Sequence, residues 1–301
     1  MRAAGLTAFL VLALTTPALA EPDWKVVGEA LGKPGSELPG GVYRVGLPRT
    51  DLKVTLSGVA VKPALALGSW VAFQAMGTQT VMMGDLVLTD PEVNPVMTKL
   101  AEGGIEITAL HNHLLHASPQ TFYMHVLGHG DPVKLATVLH DALTLSATPF
   151  PVSASAGTQS QATGATPEAQ LDLDAAMIDQ TLGAKGKVNG GVLQFTVPRA
   201  EKITEDGMDV PPSMGTGEAI NFQPTGNGKA AITGDFVLTA SEVNPVLQEL
   251  RKHGIEVTAL HSHMLNEQPR LFFMHFWAND DAKKLASGLR AALDKVNVAR
   301  Q

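Results

Sequence analysis

Residues 84–96 read GDLVLTDPEVNPV, and residues 234–246 read GDFVLTASEVNPV. From this pair the likeness runs without gaps over 84–125 and 234–275, a constant offset of 150, with 24 of the 42 positions identical. It continues more weakly upstream, from GGVYRVGLPR at Gly40 to GGVLQFTVPR at Gly190, and downstream from Lys134-Leu135-Ala136 to Lys284-Leu285-Ala286. A chain that repeats itself over such a length folds as two copies of one unit, because shared apolar positions specify shared cores. The copies are assigned to 21–145 and 171–301. Residues 146–170, SATPFPVSASAGTQSQATGATPEAQ, hold too few large apolar side chains to pack and read as a flexible linker.

Within a unit the apolar period alternates between strand and helix. Val81 to Leu88 suits a strand, and Val93, Val96, Met97, Leu100 and Ala101 then mark one face of a helix. Asn94-Pro95 is expected to start that helix and Gly103-Gly104 to end it. Strands follow over Ile105 to Leu115 and Thr121 to Gly128, turning at Ala117-Ser118-Pro119, and Asp131-Pro132 opens a last helix. A βαββα run predicts an α+β fold resembling a ferredoxin-like sandwich, with an antiparallel sheet and its helices on one face. Further strands near Val42 to Leu47, Val54 to Val61 and Trp70 to Gln74 enlarge the unit on its N-terminal side. The duplication predicts a pseudo-twofold arrangement of the two units.

The first twenty residues read as a secretory signal, with Arg2, an apolar stretch from Leu6 to Leu14, and Ala18-Leu19-Ala20 before Glu21. That stretch is shorter than the roughly 20 residues a membrane helix needs, so the expected product is a periplasmic or secreted protein cleaved near Ala20. No membrane span is expected elsewhere. With no cysteine in the chain, metal chemistry falls to His, Asp, Glu and Met. The net charge of −7, with no cluster of Lys or Arg, argues against a nucleic-acid partner.

The residues that bear chemistry lie on the central hairpin, HNHLLHASPQTFYMH in copy one and HSHMLNEQPRLFFMH in copy two. His111 and His113 are two apart on a strand and leave the same face. A turn centred near Ser118 sets His111 opposite His125. Three imidazoles then converge in copy one, and His261, His263 and His275 converge in copy two. Three histidines with an open position suit a zinc or copper ion, and His116 and Glu267 are candidate fourth ligands. The competing reading is that these histidines only hydrogen-bond neighbours within the sheet. Asp85 and Asp235 recur in both copies as potential bases, although a turn cap after Gly84 is the plainer role for Asp85. Glu92 is expected to support the start of the helix. Met124 falls on the opposite face from His125 and belongs to the core, as do Phe122 and Phe272.

G-D-[LF]-V-L-T, E-V-N-P-V, T-A-L-H-x-H and F-x-M-H, present in both halves, resemble the LppY/LpqO-type family of bacterial exported proteins, a domain of unknown function. The resemblance covers nearly the whole chain after the signal. It implies export and brings no activity or ligand set with it. Copy one departs from the family's pattern at Ala117, where an acidic residue is expected. The functional expectation is an exported protein that binds a divalent transition metal through each repeat's own hairpin, as two separate sites. The alternatives are a metal-assisted hydrolase acting on a cell-envelope substrate and a non-catalytic module that binds an envelope component.

Overall fold

The computed structural model describes residues 22–77, 79–150 and 171–299. The expected signal, 1–20, lies outside the described residues. Copy one contains α1 (Trp24–Leu31), β1 (Ser36–Leu38), β2 (Val42–Pro48), β3 (Thr55–Leu56), β4 (Val59–Ala60), α2 (Pro63–Ala66), β5 (Gly68–Met76) and β6 (Gln79–Thr89). It ends with α3 (Asp90–Glu102), β7 (Glu106–His111), β8 (Thr121–Gly130) and α4 (Pro132–Leu143). Copy two opens with α5 (Ala175–Leu182), β9 (Lys187–Asn189), β10 (Val192–Pro198), β11 (Thr204–Glu205), β12 (Met208–Asp209) and a short 3-10 turn at Pro212–Met214. It continues through β13 (Gly217–Gly226), β14 (Lys229–Leu238), α6 (Val243–Lys252), β15 (Glu256–His261), β16 (Phe272–Asp281) and α7 (Ala282–Leu293).

Each copy forms a six-stranded antiparallel sheet, in the order β1-β2-β5-β6-β8-β7 and its counterpart β9-β10-β13-β14-β16-β15. The α+β duplication expected from the repeat is what the chain adopts. The upstream strands β1, β2 and β5 extend the sheet beyond β6. The stretch from Val54 to Val61 instead makes the small β3–β4 hairpin, which bridges to the loop at Ser118.

Both faces of each sheet are buried, which is why the central strands read as nearly continuous apolar runs. In β6, Met82, Leu86 and Leu88 pack with α1, α3 and α4, whereas Val81, Met83 and Val87 face the other way. That second face meets the second copy. Val42, Ala72, Val81, Met83 and Leu127 share a core with Val237, Phe273 and Met264, while Val87, Leu114 and Tyr123 share another with Val192, Ala231 and Trp277. These two cores exchange equivalent positions of the repeat, as a pseudo-twofold requires. The layers run helices, sheet, sheet, helices: the two sheets face each other, with copy one's helices on the outside of one sheet and copy two's on the outside of the other.

The start of α3 differs from expectation. It begins at Asp90, with Glu92 reaching back to accept the Thr89 N–H at 2.7 Å, so Pro95 lies inside the helix and forgoes one backbone bond. Arg49, fully buried, holds that same Glu92 through Nη1 at 2.8 Å and also donates to Asp51 and the Val87 carbonyl. Arg199 repeats the arrangement with Glu242, Glu201 and the Val237 carbonyl. Residues 146–150, read as the start of the linker, belong to this packing: Ala147 donates its N–H to Glu92 at 2.7 Å, and Phe150 lies against His140. Residues 151–170 lie outside the described residues.

Candidate metal centre

Strand register brings the polar residues of the inner faces together. Asp85 on β6 pairs with His125 on β8, and Asp235 on β14 pairs with His275 on β16. Period-two alternation keeps these residues on the inner face beside Met83 and Val87, while Met124 points to the helical side and is fully buried there. The β7–β8 pairing, shifted by one place at the irregularity between Ile107 and Ala109, sets His111 opposite Tyr123 rather than His125. The expected opposition fails because β7 stops at His111 and a loop, not a tight turn, leads to β8. That loop still turns His113 inward, where its ring stacks on Tyr123 at 3.5 Å; His263 stacks on Phe273 at 3.6 Å.

The expectation of two separate sites is overturned. His111 and His261 face each other across the sheet interface with ring centroids 3.6 Å apart, His113 meets His275 at 3.6 Å, and His125 meets His263 at 3.6 Å. The first pair joins equivalent residues and the other two exchange them, so the pseudo-twofold axis passes between His111 and His261. Within one copy the rings are farther apart, 5.0 Å for His111–His125 and 4.9 Å for His261–His275. One cluster of six imidazoles, three from each copy, fills the interface.

All six Nε2 atoms are buried with no hydrogen-bond partner among the described residues. Ligand atoms of His111, His113, His263 and His275 lie within 4.8 Å of one another, as do those of Asp85, His113 and His125. A tetrahedral ion with nitrogens at about 2.0–2.1 Å places its donors about 3.4 Å apart, so the four histidines would have to draw closer together around an ion. These groups can hold a metal ion. The Asp235 carboxylate accepts from Nδ1 of His275, which leaves Nε2 bare toward the cluster.

Electrostatics favour neutral rings. Burial pushes His113, His125 and His263 well below the ordinary histidine value, and neighbouring imidazoles push them further. His111 is lowered for the same reasons, and burial brings His261 down to about 4. Burial and the nearby Asp235 raise Asp85 well above the usual carboxylate range, against the pull of Arg44. Asp85 Oδ1 lies 3.9 Å from His125 Nε2, beyond hydrogen-bonding distance.

Asp85 is therefore no turn cap: it lies within β6, paired on both sides. The two candidate fourth ligands stay outside the cluster. His116 is exposed on its loop in a left-handed conformation (φ 65°), and Glu267 is spent on the Leu271 N–H at 2.9 Å and on Arg270. Reading the sequence missed Arg44 and Trp70. They line a cleft of about 510 Å3 that reaches Asp85, His125, Asp235 and His263. Their signal was divergence within the repeat, since copy two has Gln194 for Arg44 and, by strand pairing, Ala219 for Trp70.

Fold and site define a duplicated α+β protein whose two sheets enclose a shared histidine cluster. The chain belongs to the family described as Domain of Unknown Function (DUF1259), whose model matches twice, over residues 25–145 and 176–295. No curated protein matches it in sequence. Among solved structures it is similar to a trimeric bacterial microcompartment shell protein, PduB, at 12% identity over 87% of this chain and 89% of that one, with a TM-score of 0.21. EtuB from Clostridium kluyveri is similar at 9% identity over the same shares, 87% and 89%, with a TM-score of 0.20. Likeness at that level carries no argument about function.

Proposed function

We propose that this protein binds a divalent transition metal at one composite site between its repeats, through His111, His113, His263 and His275. The observation that supports this most is the set of six Nε2 atoms buried without a hydrogen-bond partner among the described residues, on rings gathered into one cluster. Leaving a buried polar atom unsatisfied costs about 1–3 kcal/mol, and bare imidazole nitrogens are metal donors. An all-nitrogen set of neutral imidazoles suits zinc or copper. Asp85 and His125 form a second, smaller group with His113, which also belongs to the first. We further propose that the protein is exported after cleavage near Ala20 and acts in the periplasm or outside the cell, in keeping with the LppY/LpqO-type resemblance.

The cleft favours a second reading, a metal-assisted hydrolase acting on a cell-envelope substrate. An ion held by the histidines would supply Lewis-acid chemistry at the cleft's inner end. Asp85, raised by burial, is suited to hold a proton there on its carboxyl group.

The test is elemental analysis of the purified chain after loading and exhaustive dialysis. It should retain about one to two ions of zinc or copper per chain, as buried donors do when they hold a metal tightly. Less than about a tenth of an equivalent for zinc, copper, nickel, iron and cobalt alike would overturn the proposal.

A further inference from the structure

The pseudo-twofold is broken beside the histidines. On one side of the cluster the α2 segment closes the gap between the sheets. Lys62 N donates to Gln223 at 2.9 Å, Gln194 Nε2 donates to the Ala64 carbonyl at 2.7 Å, and Gln223 Nε2 donates to the Ala60 carbonyl at 2.8 Å. On the other side the equivalent segment, Pro212–Met214, leaves the cleft of about 510 Å3.

Arg44 stands in that cleft where copy two has Gln194. Each donates to the equivalent backbone carbonyl, Arg44 Nη1 to Ser213 at 2.7 Å and Gln194 to Ala64 at 2.7 Å. A neutral amide therefore suffices for the bracing bond, and the guanidinium's charge is left over. Its carbon lies 4.0 Å from the centroid of the Trp70 ring, which fixes the plane of the fork. Among the described residues no carboxylate comes within 4.0 Å of Arg44, whereas Arg49 and Arg199 are each paired. A cation drawn out of water without a partner is costly. Burial accordingly lowers its pKa to about 10, partly offset by Asp85. The rest of the wall is largely apolar, with Met83, Met264 and Phe273 beside Trp70; Lys187 adds a second cation, and Asp85 and Asp235 lie with the histidines.

We infer that the cleft binds a small organic anion, its carboxylate or phosphate on the Arg44 fork and its apolar body against Trp70 and Phe273. This deepens the metal reading and rests on it only for what the ligand meets at the inner end of the cleft. A planar guanidinium matches either oxyanion in two-bond geometry.

The experiment is calorimetric titration of the zinc-loaded full chain with benzoate, with phenyl phosphate, and with benzamide as the neutral control, zinc content being measured on the same samples. At least one anion should bind, with benzamide weaker by about tenfold or more. The two anions separate a carboxylate site from a phosphate site. Arg44→Gln, which copies Gln194 and keeps a donor for Ser213, should weaken the anion by about tenfold or more while zinc content and melting temperature stay unchanged. Arg44→Lys should recover part of the loss. Equal binding of benzamide, undiminished binding to Arg44→Gln, or no anion binding by zinc-loaded chain would each overturn the inference. Arg44-dependent binding by a chain that retains no metal would leave it standing and sink the metal reading.

Discussion

At the scale of single residues, the molecule concentrates neutral imidazoles at a largely buried interface, and this has a consequence for acid stability. An unfolded chain protonates its histidines around pH 6.5, whereas burial keeps His111, His113, His125, His261 and His263 neutral in the fold to lower pH. Below about 6.5 the unfolded state therefore binds more protons, and stability is lost as pH falls. Asp85, Glu205 and Glu218, raised by burial, act with the opposite sign, because above the ordinary carboxylate range the fold keeps protons that the unfolded chain releases. The histidines outnumber them. The melting temperature of metal-free protein should fall between about pH 6 and 5, and more steeply in wild type than in a His113→Asn, His263→Asn double variant. Equal slopes in the two proteins would show that these rings are not held neutral by the fold. The histidines were legible in the sequence because the repeat preserves them at a strand's same-face spacing. Asp85 was misread, since nothing local distinguishes a carboxylate in a strand from one at a turn; its role follows from pairing with His125, some forty residues away in the chain.

At the scale of elements, the helix that follows each long strand is anchored by a buried arginine. Glu92 serves α3 and Arg49 at once, and it also accepts from Ala147 beyond α4, so it ties the strand end, the helix start and the last segment of the copy together. Removing one partner of such a pair leaves the other charge buried. Glu92→Ala should cost about 3–5 kcal/mol in chemical denaturation, and Glu242→Ala should behave alike because Arg199 repeats the contacts. A loss under about 1 kcal/mol, the range of an exposed pair, would show that the anchor is replaceable. The order of strand, helix, strand, strand and helix was readable from apolar periods, because each element presents its own pattern. Pairing was not: the loop at 112–120 has no period to set its length, and the irregularity at Ile107/Ala109 shifts the register by one further place. Nor did periodicity reveal that Pro95 would be taken inside α3, since the competing start at Thr89 depends on Glu92 bonding back to it and on Arg49 far upstream.

At the scale of the whole molecule, the decisive feature is that the sheets meet face to face. One sequence copy can specify its own core, but whether two copies share a site depends on how their inner faces dock. That docking rests on apolar residues such as Leu127, Phe273 and Trp277, whose partners lie in the other half. Composite and independent sites make opposite predictions for a chain altered in one half only. If each hairpin held its own ion, replacing His111 and His113 by Ala would leave the second copy's His261, His263 and His275 in place and about half the metal bound. In the structure the four-histidine group draws two residues from each copy. Replacing His111 and His113 should therefore abolish tight binding as fully as replacing His263 and His275 does. Circular dichroism of the metal-free variants controls for folding, and elemental analysis after dialysis reads the outcome. The same logic fixes the effect of the ion on unfolding. A ligand that binds only the docked pair stabilises it by about 4 kcal/mol at a thousandfold excess over its dissociation constant. Zinc should thus raise the melting temperature of wild type, leave both half-altered variants unmoved, and produce a single transition, because the ion joins the two copies. Retention of half the metal by either variant, or a zinc shift confined to one of two resolved transitions, would return the site to the separate hairpins.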